Sequence, residues 1–336
     1  MKAVARRRIL LYGGLATAGV VAPLALPAIV TQLAFLWLMI LFALTWDIMG
    51  GQMGYNSFGN IVFFGIGAYV CAVIQRDAGM NYYGALAAGV AAGAVIGTVA
   101  AAVLGSGMLG LRGHYFAIGT WVVAEVFRLL ASQISVLGGG SGISLPAAAV
   151  IAMAPSRQIR EFEIYWLALA LTAAVLGAIV ALLRSRHGLA LTAIRDNELA
   201  AQSNGIDVAR IKLIVYVLTG FGTAMIGALI FLMKLRISPD TAFSVNDWTA
   251  FVIFITVIGG IGRIEGPIIG TIVFFALRQT LADLGSLYLL MMGAVAIVVM
   301  LWAPKGLWGL IAERFGWQAL PLQRRLVLEN ESGGHP

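Results

Sequence analysis

The chain has 336 residues, of which 60% are hydrophobic and 11% charged, with a formal net charge of +7 and a mean hydropathy of +0.93. A soluble domain carries roughly 25% charged residues, so the composition excludes an ordinary soluble protein and points to an all-α integral membrane protein, a polytopic bundle of about ten helices. The excess of Lys and Arg is read as membrane orientation and not as nucleic-acid binding, and one cysteine, Cys71, excludes an intrachain disulfide.

A spanning helix needs about 20 apolar residues. The candidates in chain order are Ile9–Val30, Leu33–Met49, Phe58–Gln75, Gly84–Met108, His114–Ser132, Ile164–Leu183, Leu213–Met233, Trp248–Gly260, Gly266–Leu281 and Leu287–Trp302. The first, behind Lys2 and Arg6-Arg7-Arg8, reads as a retained signal anchor, with a cleaved signal as the alternative. Trp248–Gly260 is short for a ~30 Å core, so it either crosses thinly or re-enters together with Gly266–Leu281.

Gly50–Tyr69, GGQMGYNSFGNIVFFGIGAY, interrupts two apolar helices with glycines and polar groups. Such backbone is tolerated at membrane depth where it faces protein or a water-filled cavity. It is either the wall of a solute pathway or a tight turn with small-residue packing. The candidate pathway residues are Gly54, Tyr55, Asn56, Ser57, Gly59 and Asn60, with Tyr115 and Glu125 from Leu111–Arg128. Glu125 and Arg128 stand at i and i+3, where they can neutralise each other as a structural pair. Asp47 reads as a boundary residue at the inner end of its helix. The segments Gln133–Glu163 and Lys234–Asp247, rich in Gly, Ser and Pro, read as turns without a packed core.

Between two apolar runs lies Arg184–Lys212, RSRHGLALTAIRDNELAAQSNGIDVARIK, the densest cluster of charge between apolar segments. So many ions must lie outside the hydrocarbon. Within it Thr192–Asn204 predicts one short helix, rich in Ala, Leu and Glu and closed by Asn204-Gly205. It is a solvated connector or a docking element. Val257–Gly270, VIGGIGRIEGPIIG, predicts a sharp turn back into the membrane. The stretch from Trp308 to Phe315 predicts an amphipathic helix along the interface, followed by a polar tail.

With the N-terminus inside, fifteen of the 22 Lys and Arg fall on the cytoplasmic side, including five from Arg184–Lys212. Only Arg76, Arg157, Arg160, Lys234 and Arg236 fall opposite, which puts both termini and the central stretch in the cytoplasm. No phosphate-binding Gly-rich loop or His-Glu-x-x-His run is visible, and His114, His187 and His335 are too scattered to suggest a metal site. Energy for transport must then come from a partner or an ion gradient. A secondary transporter or channel is one alternative, with few intramembrane ions to serve it. A membrane enzyme lacks a nucleophile or metal constellation.

GYNSFGNIVFFGIGAY, LRGHYFAIGTWVVAEVFRLL with GGGSGI, GLALTAIRDNELAAQSNGIDVARIKLIVYVLTG, VIGGIGRIEGPIIG and APKGLWGL occur in this order. From about Leu33 to Leu310 the chain thereby resembles the permease subunits of bacterial branched-chain amino acid ABC importers, of the M (LivM-like) type. It departs from them at Asn60, where members often carry His or Gln, and at Gly119-Thr120-Trp121.

The resemblance implies a transmembrane permease domain over 1–310, with a coupling segment at 184–212 and a cytoplasmic tail at 311–336. It makes Gly188, Ile194, Arg195, Asp196, Asn197, Glu198, Ala200, Ala201 and Gly205 the ATPase-coupling residues, with Ile194 as apolar anchor and the alanines keeping the helix slim. The implied partners are a second homologous permease, two cytoplasmic ATP-binding subunits that use ATP and Mg, an external solute-binding protein, and the lipid of the bacterial inner membrane. The chain itself would bind no cofactor and do no chemistry on the solute. Urea, short amides or aromatic acids are the alternative solutes.

Overall fold

The computed structural model describes residues 17, 19–77, 82–154, 156–281 and 287–315. Of the first expected span, Ile9–Val30, residues 17 and 19–30 lie within the described chain, helical over 19–25 and again from 27, and the remainder lies outside it, as does the tail from 316 onward. The other nine expected spans are all helical.

Helix α1, Val30–Asp47, continues through a π-helical turn, Ile48–Gln52, and the chain then runs irregularly to α2, Asn60–Asp77. The long helices α3, Tyr82–Met108, and α4, Gly113–Gln133, follow. The segment after α4 carries β1, Ile143–Ser144, and α5, Ala147–Met153, before α6, Arg157–Arg184. The charged centre folds as α7, Arg186–Asp196, and α8, Glu198–Ser203, and leads into α9, Val208–Lys234. Then come β2, Arg236–Ile237, α10, Pro239–Ala242, a π-helical turn, Val245–Thr249, and α11, Ala250–Gly259. Helices α12, Glu265–Leu281, α13, Leu287–Trp302, and α14, Gly306–Phe315, complete the described chain. The last coincides with the expected amphipathic stretch and runs across position 310.

Among the described residues, seven helical runs are long and apolar enough to cross a membrane. Helices α2 and α12 stand at expected positions but are too polar or too short to join them. The short expected span at Trp248–Gly260 is lengthened at its N-terminal side: α10 and the π-helical turn extend it to Pro239–Gly259, 21 residues, enough to cross without re-entry.

Helices α9, α2 and α3 pack together at the centre, with α1 against α6 and α11 against α12 beside them. The seam between α2 and α9 is made by small residues. A side chain at Gly67 would strike the backbone of Ala224, and one at Gly227 the backbone of Phe64. The two helices therefore approach backbone to backbone, which supplies the dispersion contact that drives association where lipid is as apolar as the interface. Around this seam Phe42 stacks on Phe64 at 5.8 Å, and Trp248 lies 4.5 Å from Phe64.

The surface is the reverse of a soluble protein's. Val95, Val99 and Val103 of α3 and Leu287, Leu289, Leu290, Leu301 and Trp302 of α13 are exposed, while Thr45, Asp47, Asn60, Thr249 and Thr256 are buried. So large an exposed apolar area is untenable in water and natural against lipid. The chain is a multi-pass membrane protein.

The segments Gln133–Glu163 and Lys234–Asp247 are more than turns, contrary to the sequence expectation. Strands β1 and β2 pair antiparallel, Ile143 opposite Ile237, and Ile143, Leu145, Ile237, Ala242 and Phe243 are buried beneath them. Two-residue strands are too short to show alternation, so only the tertiary contact reveals them.

A candidate coupling junction

The central segment is not one helix. Helix α7 stops at Asp196, and Asn197 takes an extended conformation and accepts a hydrogen bond from Ala200 N–H through its side chain (3.0 Å), capping α8. Asn satisfies an otherwise orphaned amide here, which outweighs the helix propensity on either side. Ser185 and Asp207 cap α7 and α9 in the same way. A left-handed Gly205 then turns the chain toward α9.

The two helices lie on the permease with definite faces. Ile194 and Ala201, each 3% exposed, are buried in a cluster with Leu191, Val208 and Tyr55, and Gly188 sits tight against the backbone of Leu183. Ile194 is therefore no anchor for a partner, and Ala201 does not line a docking surface. Both fasten the segment to its own chain. The exposed side carries Leu189, Leu199, Asp196, Asn197, Ala200 and Gly205.

Glu198, expected to point outward, points inward. Its side chain is 15% exposed. One oxygen accepts from the Tyr55 hydroxyl (2.6 Å), and the other accepts from Lys212 Nζ (2.7 Å), with Arg112 at 3.4 Å. Lys212, on the second turn of α9, also lies 4.2 Å over the Tyr55 ring. Burial pushes the Glu198 carboxyl up, but the hydrogen bonds from Lys212 and Tyr55 and the Arg112 charge outweigh it and hold it below its ordinary range. Tyr55 is pushed the opposite way, by burial and then by Glu198.

Three residues earlier, Arg195 donates to the Gly51 carbonyl (3.4 Å) in the π-helical turn after α1. Gly54, at φ 81°, lies against the aliphatic stem of Arg195, where both the backbone angle and the contact favour glycine. Asp47 is the last residue of α1, as expected, but it is more than a boundary residue. It is buried and accepts from Gly262 N–H at 2.8 Å, joining the end of α1 to the turn between α11 and α12. A side chain at Gly51 would collide with both groups of that bond. The Gly50–Asn60 stretch, the central segment and the Gly259–Pro267 turn thus meet at one place.

Beyond it the expected pathway residues divide. Ser57 is buried, its carbonyl accepting from Trp46 Nε1 (2.8 Å) and its hydroxyl from Gly59 N–H (3.2 Å). Phe58 N–H donates to Thr120 Oγ1 (3.1 Å), and a side chain at Gly59 would meet the Thr120 backbone. Asn60 accepts from Thr249 Oγ1 (3.0 Å), and its buried amide nitrogen has no partner among the described residues. Asn56 is exposed beside them. Tyr115, 77% exposed, and Glu125 lie apart on the outward face of α4. Glu125 pairs with Arg128 at 2.5 Å, as its spacing predicts, and Arg128 reaches on to Asp240 of α10 at 2.5 Å, a partner the spacing does not reveal.

Sequence reasoning named none of Lys212, Arg112, Thr120 and Thr249 as site residues: the first three stand in the quoted stretches without a sign of their partners, and Thr249 carries no motif. It undervalued Asp47, although a carboxylate at the end of an apolar helix is itself a signal.

The profile of the family described as "Branched-chain amino acid transport system / permease component" matches residues 28–301. The high-affinity branched-chain amino acid transport system permease protein LivM of Escherichia coli is 30% identical over 293 residues, covering 80% of this chain and 67% of that protein. The probable LivM of Methanocaldococcus jannaschii is 24% identical over 250 residues, 73% of this chain and 66% of its own length. A ribose import permease protein, RbsC of Bacillus subtilis, is 32% identical over a shorter 126 residues, 36% of this chain and 39% of its own. No solved structure matches the chain.

Proposed function

Because this chain belongs to the family of branched-chain amino acid transport system permease components, we propose that it works as the membrane permease subunit of an ATP-driven ABC importer for branched-chain, hydrophobic amino acids. The observation that carries the mechanism is the capped pair α7–α8, hung at the surface between two long apolar helices and tied to the irregular stretch 48–60. A partner that moves this pair moves the stretch where two helices break.

In this reading two cytoplasmic ATP-binding subunits bind and hydrolyse ATP with Mg, and this chain binds no cofactor and leaves the solute unaltered. A second, related permease completes the pore, and a solute-binding protein delivers from outside. The Lys and Arg asymmetry supports a location in the bacterial inner membrane with both termini in the cytoplasm. The permease domain spans 1–310 and the remainder is a cytoplasmic tail. Shifting an inward/outward equilibrium from 1:99 to 99:1 takes about 5.5 kcal/mol of differential stabilisation, which closure of the ATPases on α7–α8 would supply.

The exposed face of α7–α8 offers Leu199 and Ala200 as its apolar contact, with Asp196 beside them. Leu199→Arg is therefore expected to leave the permease folded while its ATPases are lost on purification and leucine uptake stops. Co-purification of that variant at wild-type stoichiometry refutes the docking assignment. Uptake of urea, short amides or aromatic acids in place of leucine by the reconstituted wild-type complex refutes the solute assignment.

A further inference from the structure

Two polar ties run from the coupling segment to the irregular stretch after α1, and they end within five residues of each other, at Gly51 and Tyr55. Arg195 holds the Gly51 carbonyl, and Glu198 holds the Tyr55 hydroxyl. Apart from the bonds of Glu198 to Lys212 and Arg112, the segment is held here by apolar contact, through Ile194 and Ala201, which is non-directional and slides more easily than a charged hydrogen bond bends.

We propose that Glu198 is the positioning residue that converts displacement of α7–α8 into displacement of residues 51–60, acting through Tyr55, with Arg195 as a second strut at Gly51. This rests on the importer reading above and names the route by which its power stroke enters the pore.

The geometry suits that task. Glu198 divides its two oxygens between different elements: one takes Tyr55, on the irregular chain before α2, and the other takes Lys212, on α9. Lys212 is 3% exposed and also lies over the Tyr55 ring, so the three side chains close a triangle in which no member moves alone. A charged hydrogen bond in a partly dry site is short, directional and about twice as strong as a neutral one. From Tyr55 the chain has five residues to Asn60. Along that length it is bonded to α1 through Trp46 and Ser57, to α4 through Thr120, and to the π-helical turn before α11 through Thr249. At the other strut, Gly51 adjoins the Asp47–Gly262 bond, so the turn between α11 and α12 is addressed as well. One carboxylate on the coupling segment thus commands a stretch bonded to α1, to α4 and to the π-helical turn before α11.

A purely structural clamp and a transmitting one are separated by the ratio of leucine carried to ATP hydrolysed. The test uses the complete complex of permeases, ATPases and binding protein in proteoliposomes, with Tyr55→Phe, Glu198→Gln and the double variant. Tyr55→Phe removes only the hydroxyl and keeps the ring. Each single variant is expected to lower leucine moved per ATP roughly tenfold, the worth of one hydrogen bond to a charged group. The double is expected to fall no further than the lower single, because Tyr55→Phe removes, and Glu198→Gln strips of its charge, the same contact. A ratio unchanged in either single, or reductions that multiply in the double, overturns the proposal. Such a result in a complex whose wild type shows leucine-stimulated hydrolysis leaves the importer reading standing. A wild-type complex without that stimulation brings down the importer reading, and this proposal with it.

Discussion

Ala201 and Glu198 sit three residues apart on α8 and set opposite demands on substitution. Ala201 is packed among Leu191, Ile194 and Val208, so Ala201→Arg drives a guanidinium into an apolar cluster with no acceptor. That is expected to cost several kcal/mol. The variant should fail to accumulate as a monodisperse protein, while Leu199→Arg, two residues away on the exposed face, should behave as wild type in size-exclusion chromatography. A well-folded Ala201→Arg permease would show that the cluster is looser than it stands. Glu198 makes its demand through charge. Its carboxyl is held below its ordinary 4.5, so its contribution to stability is complete above that pH and is lost as pH falls through the lower folded value. The melting temperature of detergent-solubilised wild type should therefore exceed that of Glu198→Gln at neutral pH. The gap should narrow only below about pH 4.5. A gap independent of pH would mean that Lys212 and Tyr55 do not favour the ionised carboxylate.

At the scale of elements, the break between α7 and α8 depends on one cap. Asn197→Ala should cost about 1 kcal/mol of stability, read as a lowered midpoint in thermal unfolding, and Asn197→Asp should restore most of it. The seam between α2 and α9 is the harder limit. Gly227→Leu places a branched side chain where the Phe64 backbone stands, and should abolish accumulation in the membrane, whereas Gly177→Leu, with open space around it, should be tolerated. These elements differ in how far the sequence discloses them. Long apolar runs and the small residues of Gly65-Ile-Gly67-Ala68 announce spans and close packing, because burial in lipid and backbone approach leave compositional marks. Asn197 leaves none, since an Asn between Asp196 and Glu198 reads as helix interior until the geometry turns it into a cap. The inward face of α7–α8 was equally illegible: a slim stripe of Ile194 and Ala201 suits a partner's groove and the permease's own core alike. Arg195 and Glu198 look like solvated charge until Gly51 and Tyr55 are found beneath them. Asp47 could have been weighed more heavily from sequence, but its partner is a backbone amide 215 residues away, which no local pattern encodes.

For the whole molecule, the two ends of the bundle differ in charge and construction. One end carries the paired strands β1 and β2, and with them the Arg128–Asp240 link that fastens α4 to α10. This pairing requires the segments around Ile143 and Ile237 to lie on the same side of the membrane, since two-residue strands cannot bond across a bilayer. Between β1 and the coupling segment runs a single long helix, α6, and between the coupling segment and β2 runs α9. Each is long enough to cross once, so α7–α8 must emerge on the face opposite the strands. The excess of Lys and Arg around α7–α8 is the ground on which we propose that this face is cytoplasmic. Two single-cysteine proteins in a Cys71→Ser background decide the matter. Cysteine in place of Ser203, exposed on α8, should react with an impermeant maleimide only in permeabilised cells. Cysteine in place of Ile151, 76% exposed on α5, should react in intact cells. The reverse pattern would invert the orientation while keeping the fold. Labelling of both positions from the same side would contradict the single crossings of α6 and α9, on which the architecture depends.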